Sequence, residues 1–356
     1  MKYIFDDVLD IKNGKNQKAV ENPKGKYPIY GSGGVMGYAD DYICSANTVI
    51  IGRKGSINNP IFVKEPFWNV DTAFGLEAKR ELLLPKYLFY FCKKYDFEKL
   101  NKTVTIPSLT KSDLLKIQIN VPEMSEQENV INRLEKIEKI IELRREELKR
   151  LDELIKARFV EMFGDPVLNP MRWECTDVIS ECNCMVPGRD KPKTFTGDIP
   201  WITIEDLVVN GITVKSKSGL GLTQDEIDSV NRKAIPEGSV IMSCVGNLGI
   251  CSIAGREMII NQQLHSFQCG ERINNVFLMH YLGYRKGYMN KWASNTTVLY
   301  MNKTICNSIP IIVPPMDMQE QFSEFVEQVD KSKVAVQKSL NETQKLFDSL
   351  MQEYFG

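Results

Sequence analysis

Apolar residues recur at alternating steps of four and three in two stretches of the chain. In the first the stripe runs Val130, Leu134, Ile137, Ile141, Leu148, Leu151, Ile155 and Met162, with Arg144 and Arg158 on the same line. In the second it runs Phe322, Val326, Val329, Val336, Leu340, Phe347, Leu350 and Tyr354, interrupted by Lys333 and Thr343. A 3.5-residue period over about five heptads predicts one long coiled-coil helix in each stretch, and the two stripes are natural partners for each other. Both stretches follow a Val-Pro-x-Met turn. Ser125 and Asp317 stand where an N-cap belongs, and Glu128 and Glu320 follow at the capping-box spacing. Phe163-Gly164 and Phe355-Gly356 close the two stretches, and Asp165-Pro166 reinforces the first stop.

The two stretches are copies. Val121 and Val313 are 313 − 121 = 192 residues apart, and Phe163 and Phe355 are 355 − 163 = 192 apart. The register holds without a gap from Val104/Thr296 to Gly164/Gly356, with Thr105/Thr297, Lys111/Lys303, Pro122/Pro314, Gln127/Gln319 and Glu128/Glu320 among the identities. A repeat decides the fold. The chain divides into residues 1–124, a variable globular block; 125–164, a spacer helix; 165–316, a second variable block; and 317–356, a second spacer helix. Thr48–Ser56 and Ser239–Gly249 resemble each other as strand-then-glycine-turn segments, so the blocks share a plan of short strands with a few helices. The predicted class is α+β: two mixed α/β domains joined by two long antiparallel coiled-coil helices in a tandem, pseudo-twofold repeat. A helix over residues 126–163 is about 57 Å long at about 1.5 Å per residue. Paired antiparallel, two such helices act as a spacer with one block at either end.

Composition narrows the class. With 356 residues, 43% hydrophobic and 26% charged, the chain is an ordinary globular one. No apolar run reaches membrane-spanning length, and the N-terminus turns acidic at Asp6-Asp7 before a signal core could form. Nine cysteines, with no CxxC pair, read as reduced thiols, which sets the expected location in the cytoplasm. The net charge of −1 conceals an imbalance. Residues 1–124 carry 18 basic and 14 acidic residues, net +4; residues 317–356 carry 4 and 8, net −4. The acidic second spacer suits a protein partner better than DNA.

Catalytic constellations are missing. Gly31-Ser32-Gly33-Gly34 lacks the Gly-Lys-Ser/Thr of a P-loop and the spacing of a dinucleotide fingerprint. His265 and His280 have no metal-ligand spacing, and no serine lies in a Gly-x-Ser-x-Gly elbow. Asn58-Asn59-Pro60-Ile61-Phe62 lacks the second proline of an amino-methyltransferase signature. No metal or cofactor is expected. What remains is a set of basic and amide side chains on loops: Lys12, Lys15, Asn16, Lys18, Arg53 and Lys54 in the first block, and Arg189, Lys191, Lys193, Lys215, Lys217, Arg232, Lys233, Arg285, Lys286 and Lys291 in the second. Arg and Lys pair with phosphate, and Arg and Asn reach guanine and adenine edges. Two such sets on a rigid spacer point to DNA reading. A coiled-coil adaptor carrying two protein-binding modules is the alternative from the same pattern.

The Pro122-x-Met124-x-x-Gln127-Glu128 and Pro314-x-Met316-x-x-Gln319-Glu320 hinges, the long helices after them, the Phe-Gly endings, and the Tyr30-Gly31-Ser32-Gly33-Gly34 and Gly52-x-x-Gly55 turns resemble a type I restriction-modification specificity (S) subunit. The likeness covers the whole chain. It implies two target-recognition domains, each reading half of a split site in double-stranded DNA, with the helices fixing the spacing. It also implies two methyltransferase (M) subunits docked on the helices and recognition domains, a restriction/translocase (R) subunit joining them, and no catalysis by this chain.

Overall fold

The computed structural model describes residues 1–101, 106–188, 190–295 and 298–356. Two helices dominate, Met124–Phe163 and Met316–Phe355, each 40 residues long. The chain forms two compact units, one of Met1–Glu147 with Val336–Gly356 and one of Leu148–Ala335, so each long helix contributes to both.

In the first unit a four-stranded antiparallel sheet has the order Leu9–Asn13, Ala73–Ala78, Thr48–Gly52, Ile61–Val63. Every residue of Thr48–Gly52 is buried, as expected of a continuous apolar strand with both faces covered. Helix Pro85–Lys94, with proline at its first turn where no amide donor is missed, buries Tyr87, Leu88, Tyr90 and Phe91 against this sheet. The unit also holds a three-stranded sheet, Gly34–Ala39, Tyr27–Gly31, Trp68–Asn69, and the antiparallel pair Lys2–Ile4 with Gln118–Asn120.

The second unit has the same order, Cys182–Met185, Leu264–Cys269, Val240–Ser243, Cys251–Ala254, with Ile212–Thr213 added in parallel at the edge. Helix Asn275–Tyr284 takes the place of Pro85–Lys94, capped by Asn274 Oδ1 on the amides of Val276 and Phe277. The α+β architecture with a duplicated plan thus holds at the level of strand order.

Within each unit the long helices pair antiparallel, along the predicted stripes. In the first, Val130, Leu134, Ile137 and Ile141 share a core with Leu340, Phe347 and Leu350, and Arg133 Nη1 donates to Tyr354 Oη at 3.1 Å. In the second, Leu151 and Ile155 share a core with Phe322, Val326 and Val329, and Lys333 bridges to Asp152 at 2.8 Å. Leu148 and Val336 are half-buried and belong to neither core. Phe159, off the predicted stripe, is fully buried in a nest of Phe163, Phe277, Tyr281, Tyr284 and Phe322.

The helix starts differ from expectation. Ser125 and Asp317 are not caps, because the helices already begin at Met124 and Met316. The amides of Glu126 and Gln127 go to the Glu123 carbonyl, and those of Met318 and Gln319 to the Pro315 carbonyl. Glu128 and Glu320 are exposed and close no capping box. The anchoring falls to the glutamines between. Gln127 is fully buried; its Oε1 accepts from the Leu84 amide (2.8 Å) and its Nε2 donates to the carbonyls of Leu82 and Pro122 (both 2.9 Å). Gln319 repeats this with the Asn274 amide (2.9 Å) and the carbonyls of Arg272 (3.0 Å) and Pro314 (2.8 Å). One side chain thereby ties the start of each long helix to the loop that launches the short helix of its own unit. Gly164 ends the first helix as predicted, with φ +76° and its amide on the Val160 carbonyl.

Candidate functional site

The candidate residues of the first unit gather where the central strands run out into loops. Asn69, fully buried, is the post: its Nδ2 donates to the carbonyl of Ala73 (3.2 Å), and its Oδ1 accepts from Cys44 Sγ (3.3 Å). Around it the strand Leu9–Asn13 turns at Gly14, where a Cβ would lie 1.8 Å from the Val70 carbonyl oxygen, so only glycine fits. The Lys15 amide then bonds to the Asn69 carbonyl, and the Lys15 carbonyl accepts from Trp68 Nε1 at 3.0 Å. Asn16 Oδ1 closes a local turn onto the Lys18 amide. On the other side Arg53 leaves strand Thr48–Gly52, with its amide on the Thr72 carbonyl and its guanidinium 5.7 Å from the Phe74 ring centroid. Lys15, Asn16, Arg53 and Lys54 are therefore exposed cations and amides around one loop, residues 69–72. Lys18 is exposed just beyond, while Lys12 lies on the sheet, paired with Glu77 at 3.5 Å.

The glycine turn after this strand has a counterpart in the second unit. In the first, the Gly55 amide bonds to the Pro107 carbonyl and the Leu109 amide to the Arg53 carbonyl. In the second, the Gly246 amide bonds to the Leu299 carbonyl and the Met301 amide to the Cys244 carbonyl. The scaffold is the same, but the basic pair Arg53-Lys54 is replaced by Cys244-Val245. Cations return from another element: Lys286 packs against Gly249, and Lys291 lies over the Trp292 ring at 5.5 Å. Exposed Val298 and Tyr300 lie beside this turn, Tyr300 pairing with Val245, and exposed Trp292 lies under Lys291. Sequence reasoning missed these aromatics, although an aromatic interleaved with lysines was the available signal.

The remaining candidates separate. Arg232 is a correction: it is 5% exposed, Nε and Nη2 donate to the Asp190 carbonyl, Nη1 to the Ile260 carbonyl, and the guanidinium lies 5.1 Å from the Trp201 ring centroid. Its guanidinium is buried and held by main-chain carbonyls inside the unit, so it is structural. Arg285 is half-buried between Tyr281 and Tyr288. Lys215 and Lys217 are exposed on a separate turn, which buried Asp206 holds by accepting from the Lys217 amide and Ser216 Oγ. Lys191, Lys193 and Lys233 are exposed in the neighbourhood of Arg232. Arg189 lies outside the described residues.

Each unit also has a groove where the start of a long helix meets the sheet edge. In the first it has a volume of 350 Å³ and is lined by Phe62, Lys86, Ile131 and Glu135; in the second it has a volume of 460 Å³ and is lined by Ile253, Val276, Ser323 and Glu327. These sets correspond: Phe62 pairs Val49 as Ile253 pairs Val240, and 131 + 192 = 323, 135 + 192 = 327. In the first groove Lys86 lies across Phe62 (4.7 Å) and bonds Glu135 (3.0 Å); the second exposes a bare apolar floor beside Ile212 and Val334.

No grouping of His, Cys, Asp and Glu able to hold a metal occurs among the described residues. Burial first of all lowers both histidines to about 4, so they are neutral core residues. No helix among the described residues is long and apolar enough to cross a membrane.

Comparison with known proteins adds an independent line. A family model described as "Type I restriction modification DNA specificity domain" matches residues 2–153 and again 177–345. The chain is 24% identical over 166 residues to the Type I restriction enzyme HindI specificity subunit of Haemophilus influenzae, covering 44% of this chain and 35% of that one. It is 19% identical over 269 residues to a putative type I restriction enzyme MjaX specificity subunit of Methanocaldococcus jannaschii, covering 72% and 63%. The matches thus span less than two thirds of these relatives. Among solved structures, the type I restriction-modification S subunit from M. genitalium superposes with a TM-score of 0.62 at 17% identity, over 100% of this chain and 96% of that one. A chain from a type I R-M system, solved for its complex assembly and conformational transition, gives 0.64 at 16%, over 100% and 97%.

Proposed function

The chain belongs to the type I restriction modification DNA specificity family, and from that premise we propose that it reads a split site in duplex DNA, one unit per half, without catalysing a reaction itself. The observation that carries this reading is the repeated glycine turn: identical backbone hydrogen bonds in the two units present different side chains, Arg53-Lys54 in one and Cys244-Val245 with Lys286 nearby in the other. A fixed scaffold with exchanged tips is what two readers of unlike sequences require. Lys15, Asn16, Arg53 and Lys54 meet one half-site; Lys286 and Lys291, with Trp292 and Tyr300, meet the other. The long helices set the distance between halves.

The duplicated grooves support docking of two methyltransferase subunits, one per unit, on the helix starts and adjoining sheet edges. The acidic second helix favours a protein over a polyanion there. A restriction/translocase subunit joins this assembly.

The test reconstitutes the chain with its methyltransferase partner and removes one heptad from the first long helix. Recognition at the native spacing is then lost or moved to a shorter one. Unchanged methylation of the native site would overturn the spacer role, and duplex binding that ignores salt would return the adaptor reading.

A further inference from the structure

Seven of the nine cysteines lie in the second unit, and two of them face each other across a sheet. Cys182 on strand Cys182–Met185 is directly opposite Cys269 on strand Leu264–Cys269, although 269 − 182 = 87 residues separate them in the chain. The neighbouring pair, Glu181 and Gly270, is hydrogen-bonded, the Gly270 amide donating to the Glu181 carbonyl at 2.8 Å. Bonded and non-bonded pairs alternate along an antiparallel ladder, so Cys182 and Cys269 occupy a non-hydrogen-bonded pair. There the Cα atoms approach to about 4.5 Å and the side chains are closest, inside the range of about 4.4–6.8 Å that a disulfide spans. The next pair confirms the register in its side chains: Asn183 Nδ2 donates to Gln268 Oε1 at 2.8 Å on the opposite face. Both thiols lie on the core face, Cys182 buried and Cys269 half-buried.

We propose that Cys182 and Cys269 form a dithiol site that a peroxide oxidises reversibly to a disulfide. Cys269, the more open sulfur, attacks the peroxide first. Its sulfur gains the hydroxyl oxygen, the O–O bond breaks and one water leaves. The Cys182 sulfur then displaces the hydroxyl of that sulfenic acid, the S–S bond forms and a second water leaves. Two thiols and one hydrogen peroxide thus yield one disulfide and two waters. The order fits the environment: its hydrogen bond to Cys269, and then burial, push the Cys182 thiol well above its usual range, which disfavours it as the first sulfur to attack. Cys244 and Cys306 also approach each other, but they are 3% and 1% exposed and a peroxide reaches them poorly. The bond closes a loop that contains the edge strand, the Arg232 region and the Gly246–Gly249 turn, and restricts the unfolded chain rather than the folded one.

The test treats the full chain with hydrogen peroxide, blocks free thiols by alkylation and maps peptides without reduction. One linked peptide pair, Cys182–Cys269, forms and disappears on adding dithiothreitol, and the oxidised chain melts at a higher temperature. In Cys182→Ser the sulfenic acid of Cys269 persists and reacts with dimedone. A Cys244–Cys306 link in its place overturns the proposal, as does a wild-type Cys269 that stays a thiol or proceeds to sulfinic acid while Cys182 remains unlinked.

Discussion

Gln127→Leu tests how the long helix is fastened to its recognition body. The side chain is fully buried and its amide serves three main-chain groups: the Leu84 amide and the carbonyls of Leu82 and Pro122. Leucine keeps the bulk and is a good helix former, so neither a large cavity nor helix propensity confounds the change. One donor and two acceptors at part-buried positions lose their partner. At about 1–1.5 kcal/mol for each, the first unit loses about 3–4.5 kcal/mol. With a urea dependence of about 2–3 kcal/mol per molar, the midpoint for that unit falls by more than about 1 M. Urea titration followed by helix circular dichroism reads the shift, and hydrogen exchange at the Leu84 amide reads the broken bond locally. Gln319→Leu produces the same loss in the second unit, and exposed Gln321→Leu is the control. A midpoint for Gln127→Leu within about 0.3 M of wild type, or a Leu84 amide as protected as before, would refute the anchoring argument.

Replacing Arg53 and Lys54 together by Ala removes two exposed cations; the slope of log K against log salt for duplex binding by the assembled complex falls by about 1.8, and an unchanged slope places that loop away from DNA. Arg232→Ala leaves the Asp190 and Ile260 carbonyls without their donors. It costs the second unit about 2–4 kcal/mol in denaturant titration without altering the salt slope; the reverse pattern would contradict its buried role. Both histidines belong to the second unit and burial holds each at about 4, below the usual 6.5. The unfolded chain takes up protons first as pH falls, so their contribution is complete above about pH 6.5 and is lost toward pH 4, on the order of 3 kcal/mol each. Melting of His280→Leu against wild type between pH 7 and pH 4.5 checks this, since the variant loses part of that dependence; identical pH profiles would exclude it.

Periodicity is a local property, and it made the long helices legible. Which residues line the stripe, where Gly164 stops the first helix and how the 192-residue step duplicates the plan all follow from spacing along one strand of sequence. The same logic misjudged the helix starts. Ser125 and Glu128 form a good local cap on paper, yet Gln127 wins because it can satisfy groups 43 and 45 residues upstream as well as its own turn. Arg232 was indistinguishable from a surface arginine until folding brought Asp190, Ile260 and Trp201 around it. The facing of Cys182 and Cys269 and the buried post at Asn69 likewise came only with tertiary packing. Burial and hydrogen-bond satisfaction are sums over neighbours distant in the chain, and no window along the sequence contains them. Spacing along the chain specified two helices, two blocks and their repetition; packing sorted the polar side chains into those that hold the structure and those left free to meet a ligand.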